Sequence, residues 1–368
     1  MLSCLPQSQL LAFTVGRDTL FAVQRAAPRG TYGQLSSSVM KRLLLKNIAP
    51  WLITIGALYL AFRGVDWSTL GSYLRNAQPL FIALAILLTI ASYWIRAARW
   101  PLLFPQVTFP LLSSWKVLVL GFFMNNILPA RAGELVRAHL GAKVLARPRT
   151  LVLATVASER LADGLTISLF FVAIIGILGR GNLDAAIAEN LLYVSYLFAG
   201  VAIAVVAVVS LRDPIGRLID RCSARLDKKA STYALSRVQI FIDGLTPLRA
   251  PRRALKIALW SMLIWGTELA AFASVAAAFG GELSISGTVL FLVTVNFSSL
   301  IPAAPGGFGV IEFITKSVLV SAGVASPELA LSMVLTQHVI QYAVIGIPGA
   351  FLLSTLRTQL NDMSEQAQ

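Results

Sequence analysis

Continuous apolar runs, each long enough to cross a bilayer as a helix, constrain this chain more than any other feature of its sequence. A transmembrane α-helix needs roughly 20 predominantly apolar residues. Runs of about that length occur at 44–62, 79–98, 150–178, 191–211, 254–279 and 328–356. Because the runs are continuous and do not alternate with polar residues, they predict helices and not the strands of a membrane β-barrel. We therefore expect an all-α, polytopic integral membrane protein with its helices in one bundle.

The composition supports a membrane protein and argues against several other classes. Of the 368 residues, 57% are hydrophobic and 13% are charged, whereas soluble domains carry about 25% charged residues. The net charge of +14 would suggest nucleic acid in a soluble protein, but cytoplasmic loops of membrane proteins collect Lys and Arg, so we expect no nucleic-acid partner. Cys4, Cys222, His139 and His338 are too few and too scattered to indicate a disulfide framework or a metal site. We expect neither a metal nor a cofactor.

Two further apolar segments, 114–128 and 286–301, run into interruptions of the same kind. Each interruption has Leu or Ile before Pro-Ala, then glycine, and the chain restarts as an apolar helix that carries an acid. Proline lacks an N–H and glycine is too flexible, so both stop a helix. Irregular backbone at membrane depth needs protein or a water-filled cavity around it, and paired interruptions in two halves indicate a transport site. The helix-breaking residues are Pro129, Pro302 and Pro305.

Basic residues set the predicted orientation. Segment 212–256 contains eleven Lys or Arg residues and four Asp residues. By the positive-inside rule this segment is cytoplasmic, and the basic residues within 41–46 place the N-terminus on the same side. If segments 114–146 and 286–323 are re-entrant hairpins, counting the spans also places the C-terminus in the cytoplasm. If each interruption instead joins two full crossings, the number of spans is higher.

The order of a span, a hairpin and a span then occurs twice in opposite orientations, which predicts an inverted-topology repeat. Repeat one covers about 79–178 and repeat two about 254–356. We expect a multi-pass domain of the cell (inner) membrane at 40–356 and a cytoplasmic tail at 357–368. Residues 1–39 contain no basic region before an apolar core, so they predict a flexible extension or a misassigned start and not a cleaved signal peptide.

Three ionisable residues, Glu159, Arg160 and Asp163, fall inside the third apolar run. Each would cost roughly 2.5–3.5 kcal/mol if it faced lipid at the bilayer centre, so we expect them to face protein or water. Glu159 and Asp163 are four residues apart and share a helix face, and Arg160, three residues before Asp163, can pair with it. The group forms either a buried ionic network or the charged wall of a substrate path, and the two are compatible.

The first interruption indicates a site for an anion. The helix that begins near Gly133 points its N-terminus into the break, where free N–H groups and the helix dipole favour negative charge. Arg131 and Arg137 add forked donors suited to phosphate. A phosphate-bearing head group is the expected ligand. The alternative is that Glu134 and Arg137 simply pair with each other along the helix.

The second interruption offers glycines at a helix start but no arginine. Gly306, Gly307 and Gly309 precede Glu312, and Lys316 follows four residues later in an order that favours pairing with it. We therefore expect Glu312 and Lys316 to form an ion pair.

Glu268 and His338, in the apolar runs that flank the second interruption, are candidates for proton coupling. Histidine is the side-chain type that ordinarily changes charge near neutral pH. The alternatives are that His338 serves as a hydrogen-bond partner and that Glu268 pairs with an arginine of the first half.

Arg96, Arg99 and Trp100 form a basic, aromatic helix end. The pattern is typical of ordinary anchoring at the membrane interface. Contact with anionic lipid head groups is the second interpretation.

Four motifs together resemble the flippase-like transmembrane family, which is the membrane region of lysylphosphatidylglycerol synthases and of their stand-alone relatives, the UPF0104-type membrane proteins. The resemblance covers roughly residues 40–356. The motifs are Arg96-x-x-Arg99-Trp100, the run GFFMNNILPARAGE at 121–134, Glu159-Arg160-x-x-Asp163, and Pro305-Gly306-Gly307-Phe308-Gly309-x-x-Glu312.

This resemblance implies re-entrant hairpins around a central cavity and the movement of a lipid between leaflets. The implied substrate is an anionic or modified phospholipid or a polyprenyl-phosphate-linked lipid, so membrane lipids are the expected partners, and the resemblance allows a homodimer. The residues that match the motifs, and would hold the head group, are Arg96, Arg99, Asn125, Asn126, Arg131, Gly133, Glu134, Arg137, Glu159, Arg160, Asp163, Gly306, Gly307 and Glu312.

One departure from the family concerns enzymatic activity. The full synthases carry a soluble aminoacyl-transferase domain after the membrane region, and the sequence at hand ends at Gln368. We therefore expect no aminoacyl transfer and no enzymatic activity. The alternatives are an ion-coupled transporter of small solutes, an integral-membrane enzyme acting on lipid carriers, and a non-catalytic scaffold subunit.

Overall fold

Helices account for the regular secondary structure in the part of the chain that the structure describes, and that part contains no strand. The structure is a computed structural model, and it describes residues 37–105, 109–128, 132–178, 185–211, 228–281, 283–301 and 304–365. The chain divides into an N-terminal unit, Met1–Ala49, whose described part is helical, and a main unit, Pro50–Gln368. The all-α prediction is confirmed. Most of the predicted N-terminal extension lies outside the described residues.

Six long helices coincide with the six apolar runs. Their bounds are Ser37–Phe62 (α1), Pro79–Arg99 (α3), Arg149–Leu178 (α6), Ala185–Ser210 (α7), Pro251–Ala278 (α9) and Pro327–Glu365 (α12). Within the described ranges, three helical segments combine the length and the hydropathy of a membrane span, namely Pro79–Leu103, Pro251–Ala278 and Pro327–Thr355. The helix α6 has 30 residues and contains the three ionisable residues Glu159, Arg160 and Asp163. The prediction of a helical, multi-pass membrane protein is confirmed.

Each interrupted segment forms two short helices that pack against each other. In the first hairpin these are Leu111–Ile127 (α4) and Gly133–Val144 (α5), and in the second they are Ile285–Ser298 (α10) and Val310–Ser321 (α11). Their lengths of 17, 12, 14 and 12 residues fall short of the roughly 20 that a full crossing needs. The lengths favour hairpins over full crossings. Pro129 and Pro302 lie outside the described residues, whereas Pro305 begins a short 3-10 helix, Pro305–Gly307.

The helices of the two predicted repeats pack in matching ways. The first helices, α3 and α9, pack along each other, and each hairpin packs against the last helix of the other repeat, α4 on α12 and α10 on α6. The second helix of each hairpin, called the return helix below, also packs on the last helix of its own repeat, α5 on α6 and α11 on α12. Such matching contacts are expected of two structurally related repeats, a relation that stays a prediction. Their opposite orientation in a membrane stays a prediction.

Two helices have no counterpart in the sequence prediction. The first, Trp67–Arg75 (α2), is nine residues long and packs on α12, and Asp66 caps it by accepting hydrogen bonds from the N–H groups of Ser68 and Thr69. Hydrogen bonds from the Thr69 and Ser68 hydroxyls also lower the pKa of Asp66 to about 2. The second, Lys228–Leu245 (α8), lies within the basic segment 212–256 and packs on α6. That segment is therefore partly helical, and its residues 212–227 lie outside the described ranges.

Candidate functional site

A cavity of about 570 Å³ lies between the two hairpins and the long helices α3, α6, α9 and α12. Its wall contains residues from both interruptions and from both repeats, although these segments are far apart in sequence. The residues singled out in the sequence that line it are Arg96, Asn125, Asn126, Glu134, Arg160, Asp163, Glu268, Pro305, Gly306, Gly307 and His338. The fold therefore brings most of the predicted site residues to one place.

The remaining predicted site residues do not line the cavity or lie outside the described ranges. Arg99, Gly133, Arg137, Glu159 and Glu312 are buried and do not contribute to the wall. The first interruption's arginine, at position 131, is outside the described residues. The predicted residues that line the cavity can contact a ligand there, whereas the buried residues behind the wall cannot.

Asp163 on α6 is held by two arginines from α3. Its carboxylate accepts hydrogen bonds from Arg96 Nη1 at 3.1 Å and Arg99 Nη1 at 2.7 Å, and from the indole Nε1 of Trp265 at 3.2 Å. Arg160 does not form the pair with Asp163 that its spacing allows. Arg160 instead lies 3.4 Å from Glu134 and 3.2 Å from Glu159, because the α3 arginines already occupy the Asp163 carboxylate.

Arg137 and Glu159 form a buried, two-point ion pair between α5 and α6. Arg137 Nη1 and Nη2 donate to the two carboxylate oxygens of Glu159 at 2.9 Å and 2.7 Å. The Arg137 guanidinium also lies 4.6 Å from the centre of the Trp100 ring. The alternative in which Glu134 pairs with Arg137 is wrong, because Glu159 gives Arg137 the parallel geometry that makes such pairs strong.

Glu268 on α9 pairs with the first half of the chain, as one of the two sequence interpretations proposed. Its Oε1 accepts a hydrogen bond from the Ser92 hydroxyl at 2.5 Å and lies 3.5 Å from Arg96 Nη2. Its Oε2 is buried and has no hydrogen-bond partner among the described residues. Glu268 therefore links α9 to α3 at the cavity wall.

The charges of this network balance one another. Among the described residues the network consists of two ion-paired clusters, Arg96 and Arg99 with Asp163 and Glu268, and Arg137 and Arg160 with Glu134 and Glu159. The side chain of Arg160 is 30% exposed, whereas those of the other three arginines are at most 7% exposed. Arg160 is therefore the arginine of the network with the most room for a ligand.

The prediction that Arg96, Arg99 and Trp100 anchor the chain at the membrane interface is wrong. All three are buried, with exposed fractions of 5%, 0% and 0%. The arginines turn inward because Asp163 and Glu268, which are distant in sequence, neutralise them in the folded chain.

At the second interruption, Glu312 and His338 hold the loop that precedes α11. Glu312 Oε2 accepts a hydrogen bond from the Gly309 N–H at 2.7 Å, and Glu312 Oε1 lies 2.5 Å from His338 Nδ1. The other ring nitrogen, Nε2, lies 3.2 Å from the carbonyl oxygen of Gly306. Gly306 has a φ of +81°, and a Cβ at this position would overlap with the Tyr342 hydroxyl, so this position needs glycine.

The expected ion pair of Glu312 with Lys316 is wrong. Lys316 Nζ donates instead to the carbonyl oxygens of Leu60 and Ala61 at 3.2 Å and 2.5 Å. These carbonyls lie in the last turn of α1, where a helix leaves its C=O groups without partners. Lys316 therefore caps the C-terminus of α1, and Glu312 pairs with His338 instead.

The edge of the cavity at the two interruptions is apolar. Leu128, Leu300 and Ile301 line the cavity, and Leu300 and Ile301 are 45% and 44% exposed. The interior also presents aromatic and hydroxyl groups that the sequence analysis did not single out, including Trp265 and Tyr342. Tyr342 lies one helical turn after His338, so the spacing rule for one helix face could have found it.

The described residues contain no group of three or more His, Cys, Asp or Glu side chains that could hold a metal ion.

Comparison with known proteins gives one family and several distant relatives. The family model described as the lysylphosphatidylglycerol synthase TM region matches residues 47–349. Glycosyltransferase AglD of Haloferax volcanii is 24% identical, and the match covers 87% of this chain but 56% of that protein. A UPF0104 membrane protein of Pyrococcus horikoshii is 23% identical over 85% of this chain and 97% of that protein. A UPF0104 membrane protein of Methanothermobacter thermautotrophicus is 26% identical over 78% and 86%. No solved structure matches this chain.

Proposed function

Because the chain belongs to the family of the lysylphosphatidylglycerol synthase transmembrane region, we propose that it moves a lipid with an anionic head group between the leaflets of the cell membrane. The substrate is a phospholipid or a polyprenyl-phosphate-linked lipid. The head group crosses through the polar cavity while the tail stays in the bilayer. The lipid itself is the partner, and the chain leaves it chemically unchanged.

The observation that carries this proposal is the combination of a charged interior with an apolar edge. Arg96, Arg160 and Asp163 line the cavity, while Leu300 and Ile301 are at its edge and remain nearly half exposed. A small polar solute gains nothing from exposed Leu and Ile at the entrance, because these side chains cannot replace its hydration. A lipid gains on both sides, since its head group meets the charges and its tail meets the apolar edge.

The geometry supports different roles for the arginines. Arg160 has the exposure and the forked donors that a phosphate requires. Arg137 has both terminal nitrogens engaged with Glu159, so it serves as a tie between α5 and α6. Asn125, Glu268 and Tyr342 line the same cavity and supply amide, carboxylate and hydroxyl groups to the wall around the head group.

A polyprenyl-phosphate-linked lipid is a substrate candidate because one relative carries the name glycosyltransferase. The chain covers 56% of that relative, so the glycosyltransferase activity itself is said of that protein alone. The shared chemistry of the two candidate lipids is a phosphate next to a long apolar tail.

Lipid movement in reconstituted vesicles tests the proposal. Purified protein is placed in vesicles with a fluorescent anionic phospholipid or, separately, with a fluorescent polyprenyl-phosphate, and the label in the outer leaflet is quenched with a reductant that does not cross the membrane. We expect transfer by the wild type and a loss of at least about tenfold in Arg160→Gln, since about 1.4 kcal/mol of phosphate binding corresponds to that factor. Mass spectrometry of the recovered lipid should show an unchanged molecule.

Arg252→Gln is the matched control, because it removes an exposed arginine at the start of α9, away from the cavity. The polar-edge variant Leu300→Gln with Ile301→Gln should also slow transfer. Absence of transfer of either lipid, together with uptake of a soluble ion or solute, would contradict the proposal. A modified lipid product would replace it with an enzymatic function.

A further inference from the structure

Each return helix is tied to the last helix of its own repeat by one buried pair, and the two pairs differ in chemistry. Arg137 and Glu159 tie α5 to α6, while Glu312 and His338 tie α11 to α12. Arginine keeps its proton at any physiological pH. Histidine ordinarily gains or loses a proton between about pH 5 and 8. The tie in the first repeat is therefore permanent, and the tie in the second repeat can change with its protonation.

The contacts of His338 fix how many protons the second tie must contain. Nδ1 lies 2.5 Å from Glu312 Oε1, and Nε2 lies 3.2 Å from the Gly306 carbonyl oxygen. A proton must lie within each contact, because two lone pairs at these distances repel. The carbonyl has no proton to give, so Nε2 carries one, and a second proton lies between Nδ1 and the carboxylate. This count holds for a charged histidine with ionised Glu312 and for a neutral histidine with protonated Glu312.

Loss of one of these two protons breaks one contact. A neutral imidazole next to an ionised carboxylate has a single N–H, which can serve Glu312 or Gly306 but not both. The contact with the carboxylate is retained, because hydrogen bonds to an ionised group are about twice as strong as those between neutral groups. The tether from His338 to the Gly306 carbonyl is the one that is lost.

The released segment is part of the cavity wall. Pro305, Gly306 and Gly307 line the cavity together with His338, and Phe308 stacks on the His338 ring at 4.4 Å between centroids. Glu312 also accepts the Gly309 N–H, so the pair holds both ends of this short loop. A change in its protonation therefore acts directly on the shape of the cavity.

The other charged and titratable groups around the pair are accounted for. On α11, Lys316 is bound to the carbonyls of α1. On α12 itself, the Tyr342 ring lies 4.9 Å from His338, and Glu328, where α2 meets α12, lies ten residues or about 15 Å along the helix. The described part of α4 contributes apolar and amide side chains to the wall. The groups that face the same cavity from α3, α5, α6 and α9 are Tyr93, Arg96, Glu134, Arg160, Asp163 and Glu268.

We infer that Glu312 and His338 form a proton-binding site that tethers Gly306 of the Pro305–Gly309 loop when both protons are present and releases Gly306 when one of them is lost. This inference rests on the proposed function for its purpose, since release of the loop reshapes the cavity in which the lipid head group moves. The ligand of the site is a proton, which reaches His338 from the cavity.

Hydrogen exchange of the loop amides tests this site without any transported lipid. The protein is placed in lipid nanodiscs, and exchange in the peptide that contains 304–309 is followed by mass spectrometry between pH 5.5 and 8.5, with intrinsic exchange rates divided out. Release of one proton on opening predicts that the opening constant rises by up to about tenfold per pH unit across the transition. A loop opening constant that does not depend on pH in the wild type would overturn the inference.

Glu312→Gln is the decisive variant, because its amide can donate to His338 Nδ1 and accept from Gly309 while Nε2–H keeps its contact with Gly306. We expect the loop to stay tethered at every pH in this variant. His139→Gln, which removes the other histidine of the chain, should keep the pH dependence of the wild type. The same pH dependence in Glu312→Gln as in the wild type would assign the effect to another group and overturn the inference.

The exchange experiment and the lipid assay test the two proposals separately, so one proposal can be contradicted while the other stands. A loop that opens with pH in a protein that moves no lipid would leave the proton site standing and remove the proposed function. Lipid transfer by a protein whose loop opening does not depend on pH would support the proposed function and overturn the proton site. If both hold, the transfer rate should depend on pH in the wild type and lose that dependence in Glu312→Gln.

Discussion

Glu159 is the residue whose loss should weaken the fold most directly. It is fully buried and accepts two hydrogen bonds from Arg137. Glu159→Gln leaves the Arg137 charge buried without its counter-ion, which typically costs about 3–5 kcal/mol. We expect a matching fall in the free energy of unfolding, measured by denaturant titration in detergent with tryptophan fluorescence.

Glu189→Gln provides the control for this change, since Glu189 is an exposed acid on α7. Replacing both members of the buried pair by methionine should cost less than the sum of the two single changes, because no unpaired charge remains. Equal losses in Glu159→Gln and Glu189→Gln would show that the pair does not support the fold.

Single residues also show where sequence reasoning reaches its limit. The spacing rules correctly indicated that Glu159, Arg160 and Asp163 avoid lipid, because any charge in a long apolar run must do so. The same rules gave the wrong partner for Glu312 and missed the partners of Asp163, since they describe neighbours on one helix and carry no information about α3 or α12. In the structure, Asp163 pairs with Arg96 and Arg99 of α3, and Glu312 pairs with His338 of α12.

At the level of elements, the first hairpin depends on close contact between α4 and α5. A Cβ at Gly133 would overlap with the Gly121 carbonyl and with the backbone of Asn125. Backbone atoms cannot move aside as a side chain can, so Gly133→Ala should separate the two helices at a cost of about 1–3 kcal/mol. We expect a lower unfolding midpoint, and a loss of lipid transfer because Asn125 lines the cavity.

Gly266→Ala is the matched control, since Gly266 lies inside α9 with open space around its Cα. Alanine favours helix over glycine by up to about 1 kcal/mol, so this variant should be as stable as the wild type or slightly more stable. A stable, active Gly133→Ala protein would contradict the packing argument.

The helices themselves were predictable to different degrees. The six apolar runs match six long helices because burial in lipid demands continuous apolar residues, and the hairpins follow from proline and glycine at the breaks. The nine-residue α2 was not predicted, since it buries a single residue, Leu70, and gives almost no apolar signal. The helix α8 was also missed, because its sequence reads first as a set of basic residues.

At the level of the whole molecule, the expected topology places the basic segment and the second hairpin's flanks on opposite sides of the membrane. After both native cysteines are changed to serine, single cysteines at Arg252 and at Ser326 report the two sides. Both positions are exposed. We expect a thiol reagent that does not cross the membrane to label Ser326→Cys in intact cells and Arg252→Cys only after permeabilisation.

Labelling of both positions from the same side would contradict the inverted repeat, because the hairpin flanks would then share the side of the basic segment. Labelling in permeabilised cells serves as the control for each variant. The labelling reports on which side of the membrane each position lies. It does not test the packing of the helices within the main unit, which the structure describes.

The succession of long helices and interrupted segments could be predicted from the sequence, because apolar runs and helix-breaking residues are both visible in it. The cavity itself could be anticipated only in part, since the sequence pointed to both interruptions but not to the inward turn of Arg96 and Arg99. That turn depends on carboxylates supplied by other helices. Charge pairing between helices that are distant in sequence leaves no periodic pattern in the sequence, so it cannot be predicted from spacing.

The balance of four arginines with four carboxylates in the described network has an electrical consequence. A voltage across the membrane exerts no net force on a neutral set of charges, so a network that moves as one body adds no gating charge of its own. A head group with one net negative charge would then be the charge that crosses, and each 100 mV would bias its distribution by about 2.3 kcal/mol. Under the proposed function, transfer of an anionic lipid without an accompanying proton would be electrogenic, whereas transfer of a zwitterionic lipid would be indifferent to voltage.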